Sequence, residues 1–558
     1  MFNNDKILVV IPARGGSKGI PRKNCRILGE RPLISYAIDM ANASKYVDDV
    51  IVSTEDGEIR QISEKFGATV VGRPPELSTD EVPLDPVIFD AVLQKEKMIF
   101  DEYDIVITVQ PTSPLLKTKT LDHAIEKFDS FDIDTVISVV DDRHLRWAYD
   151  HENKKYFPLY KQRLNRQYLP ETFRETGSIL ASRRRFITED SRLGDNIDLI
   201  KISTEESIDI DNYEDWWIAE NIINKKRIAI KVDAYDEIGT GHIYRCVSIA
   251  SKLYSHDVVF ILNEKHKLGI DIIKKYNYPF VLHEEEDEIF KILDKFKPDI
   301  VINDILDTSK EYIYKLKMND YFVINFEDLG EGSESADLVF DALYEHKHDK
   351  NNVYSGYNYY ILKEEFFYQK PKVIREDVSN ILLTFGGTDP NNFTEKVIDS
   401  ILYSGYSGEI SVILGIGYRY NEEIQKKYYN VSNVKIFENV KSISDYMAFA
   451  DLIFTSAGRT MYEVCSLGVP CICLCQNERE LSHTFANLKN GFINMGLGKD
   501  IEKEEIIEQL DSLIDDYEMR KAMNQRMLAI DLKHGFDNIM TMVTRYYRNV
   551  KLKKQFNN

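Results

Sequence analysis

Ile11-Pro12-Ala13-Arg14-Gly15-Gly16-Ser17-Lys18-Gly19-Ile20-Pro21-Arg22-Lys23-Asn24 follows directly on the apolar run Ile7–Ile11. A short apolar strand that closes in a glycine-rich turn and leads toward a helix is how a parallel α/β sheet opens. Adjacent glycines let backbone amides face an anion with no Cβ in the way. Arg14, Lys18, Arg22 and Lys23 crowd the same turn with cations. The Gly-Lys-Ser/Thr ending of a Walker loop is missing, and the glycine spacing is not that of the dinucleotide fingerprint. What remains is a phosphate turn of another kind.

The pattern repeats along the chain. A helix is expected over Leu33–Ala43, and short apolar strands over Val50–Ser53, Ile105–Val109 and Val136–Val140. Strands of this kind, separated by helices, imply a parallel sheet covered on both faces. A second start lies at Arg227–Val232, again with a glycine-rich turn and a helical pattern through Ala250 and Leu253. Later strands are expected at Val258–Leu262, Ile300–Ile302, Phe322–Asn325, Ile381–Thr384, Glu409–Leu414 and Leu452–Phe454, with a break near Lys370–Asp377. The final stretch, Phe536–Asn549, reads as a helix that crosses back to the first half. The chain has 558 residues, and a single core rarely grows past ~250–300. The expected division is therefore an α/β domain over 1–225 and two similar α/β lobes over 226–372 and 373–558, with a cleft between the lobes.

The formal net charge of −21 argues against nucleic acid or an anionic membrane as a partner. No stretch approaches the ~18 apolar residues that span a bilayer. The N-terminus, Met1-Phe2-Asn3-Asn4-Asp5, shows no basic region or cleavage site, which points to the cytoplasm. Cys471, Cys473 and Cys475 alternate along an apolar run and fit no common zinc spacing, so they read as buried thiols on one face of a strand.

Ser207-Ile208-Asp209-Ile210-Asp211 reads as a strand with both aspartates on one face. Side by side, two carboxylates repel unless a cation lies between them, and Mg²⁺ with nucleotide phosphates is the natural one. With the opening turn, these residues resemble the acylneuraminate (CMP-sialic acid) cytidylyltransferases. Val52-Ser53-Thr54, Arg73-Pro74-Pro75-Glu76-Leu77, Gln110-Pro111-Thr112-Ser113-Pro114-Leu115, Arg166-Gln167 and Leu169-Pro170 carry the resemblance, all in order, over about residues 5–222. It implies a Rossmann-like nucleotidyltransferase domain, similar to glycosyltransferase A folds, that joins CTP to a 2-keto nonulosonic acid and releases pyrophosphate. By resemblance, Arg14 and Lys23 hold the triphosphate together with Gly15, Gly16, Ser17 and Lys18. Asn24 and Gln110 lie near the ribose and the sugar, Arg73, Arg166, Gln167 and Arg174 also bind substrate, and Asp209 and Asp211 hold Mg²⁺. The family's Arg-x-Asn-Gly-Ala is here Arg174-Glu175-Thr176-Gly177-Ser178, which removes an amide donor expected near the sugar and leaves the nonulosonic acid open. No side chain stands out as general base. Asp141–Pro170 interleaves Arg143, Arg146, Lys161, Arg163 and Arg166 with Trp147, Tyr149, Tyr156 and Tyr160; by resemblance this arm makes a homodimer.

The second region opens Lys231-Val232-Asp233-Ala234-Tyr235-Asp236-Glu237-Ile238-Gly239-Thr240-Gly241-His242. The glycines allow close approach of a ligand, and His242 at the helix start suits proton transfer near neutral pH. Across the expected cleft lie Thr384-Phe385-Gly386-Gly387-Thr388-Asp389-Pro390 and Thr455-Ser456-Ala457-Gly458-Arg459-Thr460-Met461-Tyr462-Glu463. The second of these precedes a helix whose free amides suit a diphosphate, and Glu463 a ribose diol. These elements resemble the UDP-sugar hydrolases of the pseudaminic acid pathway, which have the two-lobed glycosyltransferase B architecture. The resemblance implies that a UDP-2,4-diacetamido-2,4,6-trideoxyhexose is split, with His242 positioning or deprotonating water and Gly241, Gly387, Ser456, Gly458 and Glu463 binding substrate. Lys231-Val232-Asp233, Glu327-Asp328 and Asp341-Ala342-Leu343 depart from the family's sugar-binding motifs. Transfer to an acceptor, or a nucleotide-sugar-binding scaffold without activity, are the alternatives.

Overall fold

The computed structural model describes residues 2, 4–16, 19–235, 239–345, 351–438 and 440–557. The chain forms two compact units, Met1–Lys225 and Lys226–Asn558.

The first unit is built on a seven-stranded sheet. Ile7–Pro12 lies near its centre between Asp49–Thr54 and Ile105–Val109, parallel to both. All six residues of Ile7–Pro12 are buried. One side packs Ile7, Val9 and Ile11 on the helices Leu33–Asn42 and Thr118–Glu126, and the other packs Leu8 and Val10 on Leu84–Ile99. Burial on two faces is what the continuous apolar run encodes. The sheet is not wholly parallel, however. The long strand Phe173–Arg183 runs antiparallel to both Ile105–Val109 and Thr135–Asp141, with an irregularity between Glu175 and Leu180. Polar residues and Gly177 at its start hid this strand from a search for apolar runs. Trp147–Asp150 and Lys155–Pro158 pair into a separate two-stranded ribbon.

The second unit has two lobes. The first lobe is a seven-stranded sheet with Arg227–Val232 between Asp257–Asn263 and Ile300–Asp304. The second is a six-stranded sheet with Asn380–Thr384 between Glu409–Leu414 and Leu452–Thr455. Every ladder in both sheets is parallel. The last helix, Gly535–Asn557, returns to the first lobe, where Ile539 and Val543 join the core of Ile228, Ile230 and Phe260. The first lobe is thus completed by residues beyond 373. Cys471, Cys473 and Cys475 sit on a fully buried strand in the second lobe's core, and burial raises all three thiols. No helix among the described residues is long and apolar enough to cross a membrane.

Candidate functional site

In the first unit, the turn after Ile7–Pro12 and the Asp209 segment meet. Lys23 Nζ donates to the Ile210 carbonyl at 2.5 Å and lies 3.5 Å from Asp211 Oδ1. A Cβ on Gly19 would run into the Asp211 carbonyl, so the approach needs glycine there. The aspartates do not lie on a strand. Residues 208–211 are irregular backbone pinned by Ile210 N to the Thr112 carbonyl at 2.9 Å, and the helix Tyr213–Ile223 follows. Alternation survives without a ladder: Ile210 is buried among Ile20, Leu33 and Trp216, while Asp209 is partly buried and Asp211 exposed.

Asp209 Oδ1 is buried with no hydrogen-bond partner. Burial raises the Asp209 carboxyl, with Asp211 adding to the shift and the Thr112 hydroxyl opposing it. Among the described residues no three His, Cys, Asp or Glu side chains converge to hold a metal unaided. A cation on this pair would therefore need ligand oxygens as well.

The described cations of the turn are engaged with carboxylates. Arg14 pairs with Asp80, and Arg22 with Asp56 at 3.7 Å and with Glu58. The Gly15 amide donates to Glu55 Oε1 at 2.7 Å. Asn24 is buried and donates to the Arg14 carbonyl at 3.1 Å, while its Oδ1 has no partner. Arg73, also buried, donates to the Ser53 carbonyl at 2.9 Å, and burial lowers its pKa. Gln110 packs on Gly177, whose φ of +69° is in the left-handed region. Arg166, Gln167 and Arg174 are exposed. The Thr176 hydroxyl is buried 2.7 Å from Ser138 Oγ, inside the sheet. Ser17 and Lys18 lie outside the described residues.

In the second unit the three glycine turns come together. A Cβ on Gly387 would strike the Thr240 hydroxyl, and one on Gly241 would sit 3.1 Å from Arg459 Cδ. His242 stands in the first turn of the helix Gly241–Lys252, and its Nδ1 lies 2.6 Å from Asp304 Oδ1. That short contact places the ring proton on Nδ1 and leaves Nε2 as the basic nitrogen. Arg245 binds both Asp304 oxygens, at 2.5 and 2.6 Å, and Glu327 at 2.8 Å. Burial alone would raise the Asp304 carboxyl, but Arg245 and His242 hold it well below its ordinary range. Glu327 is less compensated and is pushed up to about 7 by burial; its φ of +53° marks a constrained backbone.

Asp304 and Arg245 escaped the sequence reading. Asp304 ends the apolar strand Ile300–Asp304, and Arg245 falls one helical turn after His242, an i, i+3 spacing that puts these two side chains on one face of the helix. Glu463 is buried and paired with Lys363 at 2.7 Å. The Ser456–Gly458 turn is held by Glu480, which accepts from Ser456 and Ala457 and from Gln476 N at 2.8 Å.

The chain matches the cytidylyltransferase family over residues 8–182 and the glycosyltransferase family 28 C-terminal domain over residues 381–542. It is 31% identical over 233 residues to the CMP-N,N'-diacetyllegionaminic acid synthase of Legionella pneumophila, a match covering 40% of this chain and 99% of that protein. The chain belongs to the cytidylyltransferase family. An N-acylneuraminate cytidylyltransferase of Escherichia coli is 29% identical over 238 residues, 42% of this chain and 55% of that protein. An uncharacterized protein of Methanocaldococcus jannaschii is 29% identical over 367 residues, 59% of this chain and 74% of that protein. The cytidylyltransferase unit is thus fused to a two-lobed, glycosyltransferase B-like unit whose second lobe matches the family 28 glycosyltransferase C-terminal domain.

Proposed function

We propose that the cytidylyltransferase unit joins a nonulosonic acid of the acylneuraminate or legionaminate class to CMP, using CTP and releasing pyrophosphate. The observation that carries this is the meeting of the cationic turn with the Asp209–Asp211 segment through Lys23. Arg14 and Lys23 hold the triphosphate, exchanging their carboxylate partners for phosphate oxygens. The sugar's anomeric hydroxyl attacks the α-phosphorus in line, and the bond to pyrophosphate breaks. Cations around the phosphates offset the charge that builds on their oxygens. Asp209 and Asp211 fit Mg²⁺: one carboxylate oxygen is buried and unpartnered, and a hard cation takes one or two carboxylates together with phosphate. Bound there, the ion supplies Lewis-acid stabilisation of the phosphates. The test is CTP-dependent pyrophosphate release over a panel of nonulosonic acids. Release with at least one is expected; release only with an eight-carbon 3-deoxy-octulosonate would overturn the sugar assignment.

The ribbon Trp147–Asp150 with Lys155–Pro158 supports a homodimer. A lone two-stranded ribbon is marginal in water, and here Trp147, Tyr156, Leu159 and Tyr168 are all more than half exposed.

For the second unit the proposed reaction is hydrolysis of a UDP-2,4-diacetamido-2,4,6-trideoxyhexose. His242, oriented by Asp304, takes a proton from water at Nε2 as UDP leaves. The match to glycosyltransferase family 28 favours a second reading, transfer to an acceptor. Incubation with the UDP-sugar alone separates them: free hexose and UDP are expected, whereas UDP release only on adding an acceptor would establish transfer.

A further inference from the structure

The short helix Glu478–Leu481 follows the buried strand Cys471–Cys475 of the second lobe. Asn477 caps it, accepting from Glu480 N at 3.0 Å. The two middle residues of this helix reach different lobes. Glu480 stays in its own, accepting from Gln476 N at 2.8 Å and from Ser456 and Ala457. Arg479 reaches the first lobe. Its Nη1 and Nη2 each lie 3.0 Å from Asp307 Oδ1, and Nη2 also donates to the Glu327 carbonyl at 3.0 Å. Its Nε donates to the Tyr344 hydroxyl at 2.8 Å.

Asp307 and Glu327 stand in the loops after the paired strands Ile300–Asp304 and Phe322–Phe326. These loops are bonded to one another: Leu329 N donates to Asp307 Oδ1 at 3.2 Å, and Thr308 N to Asp328 Oδ1 at 2.9 Å. They flank the proton-transfer pair. Asp304, three residues before Asp307, accepts from His242, and the Glu327 carboxylate holds Arg245, which holds Asp304 in turn. One guanidinium therefore fixes both loops from the opposite lobe, while the next residue is bonded into the Ser456–Gly458 turn. As a source of stability the ion pair counts for little. The Asp307 side chain is 48% exposed and that of Arg479 31%, and solvent screens such pairs. What the rigid planar fork supplies is orientation, since it joins several acceptors at fixed angles.

We propose that Arg479 is a positioning residue for the second unit's reaction, clasping the Asp307 and Glu327 loops so that the His242–Asp304 pair is set against the bond to be broken. This rests on the reading of the second unit as a nucleotide-sugar enzyme. Arg479 acts through Asp307 and the Glu327 backbone and touches no reacting atom. A base displaced by about an ångström loses rate on the order of a hundredfold without losing substrate.

The experiment measures turnover of the UDP-2,4-diacetamido-2,4,6-trideoxyhexose by the full-length protein, together with calorimetric UDP affinity. The variants are Arg479→Ala, Asp307→Ala and the two combined. Arg479→Ala is expected to lower kcat about ten- to a hundredfold, with KM and UDP affinity within twofold of the unsubstituted protein. Residues acting as one clasp are not additive, so the double variant should be no slower than the slower single one. Unchanged kcat would overturn the proposal. So would a parallel loss of UDP affinity, which marks a ligand contact or a damaged fold, and so would additive losses in the double variant. If the unsubstituted protein turns over no UDP-sugar, the nucleotide-sugar reading itself fails and the proposal falls with it. Should Arg479→Ala not fold, Arg479→Lys keeps the charge but loses the fork. It should lower kcat severalfold at unchanged KM; full activity would refute the role.

Discussion

The two glycine-rich turns of this chain are prepared in opposite ways. In the cytidylyltransferase unit the described cations of the turn are already matched, Arg14 with Asp80, Arg22 with Asp56 and Glu58, and Lys23 with Asp211. These pairs include well-exposed side chains, where solvent screens them, so replacing carboxylates by phosphates costs little. In the second unit a Cβ on Gly387 would strike the Thr240 hydroxyl, one on Gly241 would crowd the Arg459 stem, and Arg459 Nη1 has no acceptor. On the proposed reading, the first turn binds its anion by exchange and the second by insertion. The first should therefore be the more salt-sensitive, and the second the less tolerant of a change in shape.

The sharpest break in that comparison comes from the aspartates. Asp209→Asn is expected to lower CMP transfer about a thousandfold or more, since a metal's stabilisation of phosphate charge is worth several kcal/mol. Turnover of the second unit should be untouched, as assays of both activities on one preparation would show. Next in size is Arg14→Ala, expected to weaken CTP binding about ten- to a hundredfold. Raising salt should weaken the unsubstituted protein's CTP binding more than its UDP binding; the reverse order in calorimetry would contradict the exchange picture. Replacing the ribbon tip, residues 151–154, by two glycines tests the exposed aromatics. Sedimentation should report a dimer before and a monomer after; a monomer at micromolar concentration in the intact protein would give the ribbon another purpose.

The smallest effect is on stability. Burial raises the Glu480 carboxyl from its ordinary 4.5 to about 7. A carboxyl with its folded-state pKa raised gives stability that is fully present below about 4.5 and lost as pH rises through about 7. The thermal midpoint of the second unit should accordingly fall across that window. Glu480→Gln should flatten part of the fall, Glu327 supplying the remainder. A midpoint rising with pH would contradict the sign.

Much of this was legible in the amino-acid order. Ile105–Val109, Arg227–Val232 and Glu409–Leu414 are strands at the bounds their apolar runs mark, because a buried parallel strand has no polar face to blur its ends. Phe173–Arg183 was hidden, since its first residues pair while remaining polar and exposed. Ser207–Asp211 kept the alternation of a strand without being one, because Ile210 needs only a pocket, not a ladder. The turns announced themselves through glycine and charge. Their partners did not: Asp304 ends an apolar strand, Glu480 is one acid in the polar run Asn477-Glu478-Arg479-Glu480, and only folding brings them to His242's Nδ1 and to the Ser456–Gly458 turn.

The central claim, two separate active sites in one chain, is tested most directly by measuring CMP-sugar formation and UDP-sugar turnover on Asp209→Asn and His242→Ala side by side. The account predicts a crossed result. Asp209→Asn loses the first activity and keeps the second; His242→Ala loses the second by ~10²–10⁴ and keeps the first. A folded variant of either kind that lost both activities would contradict it.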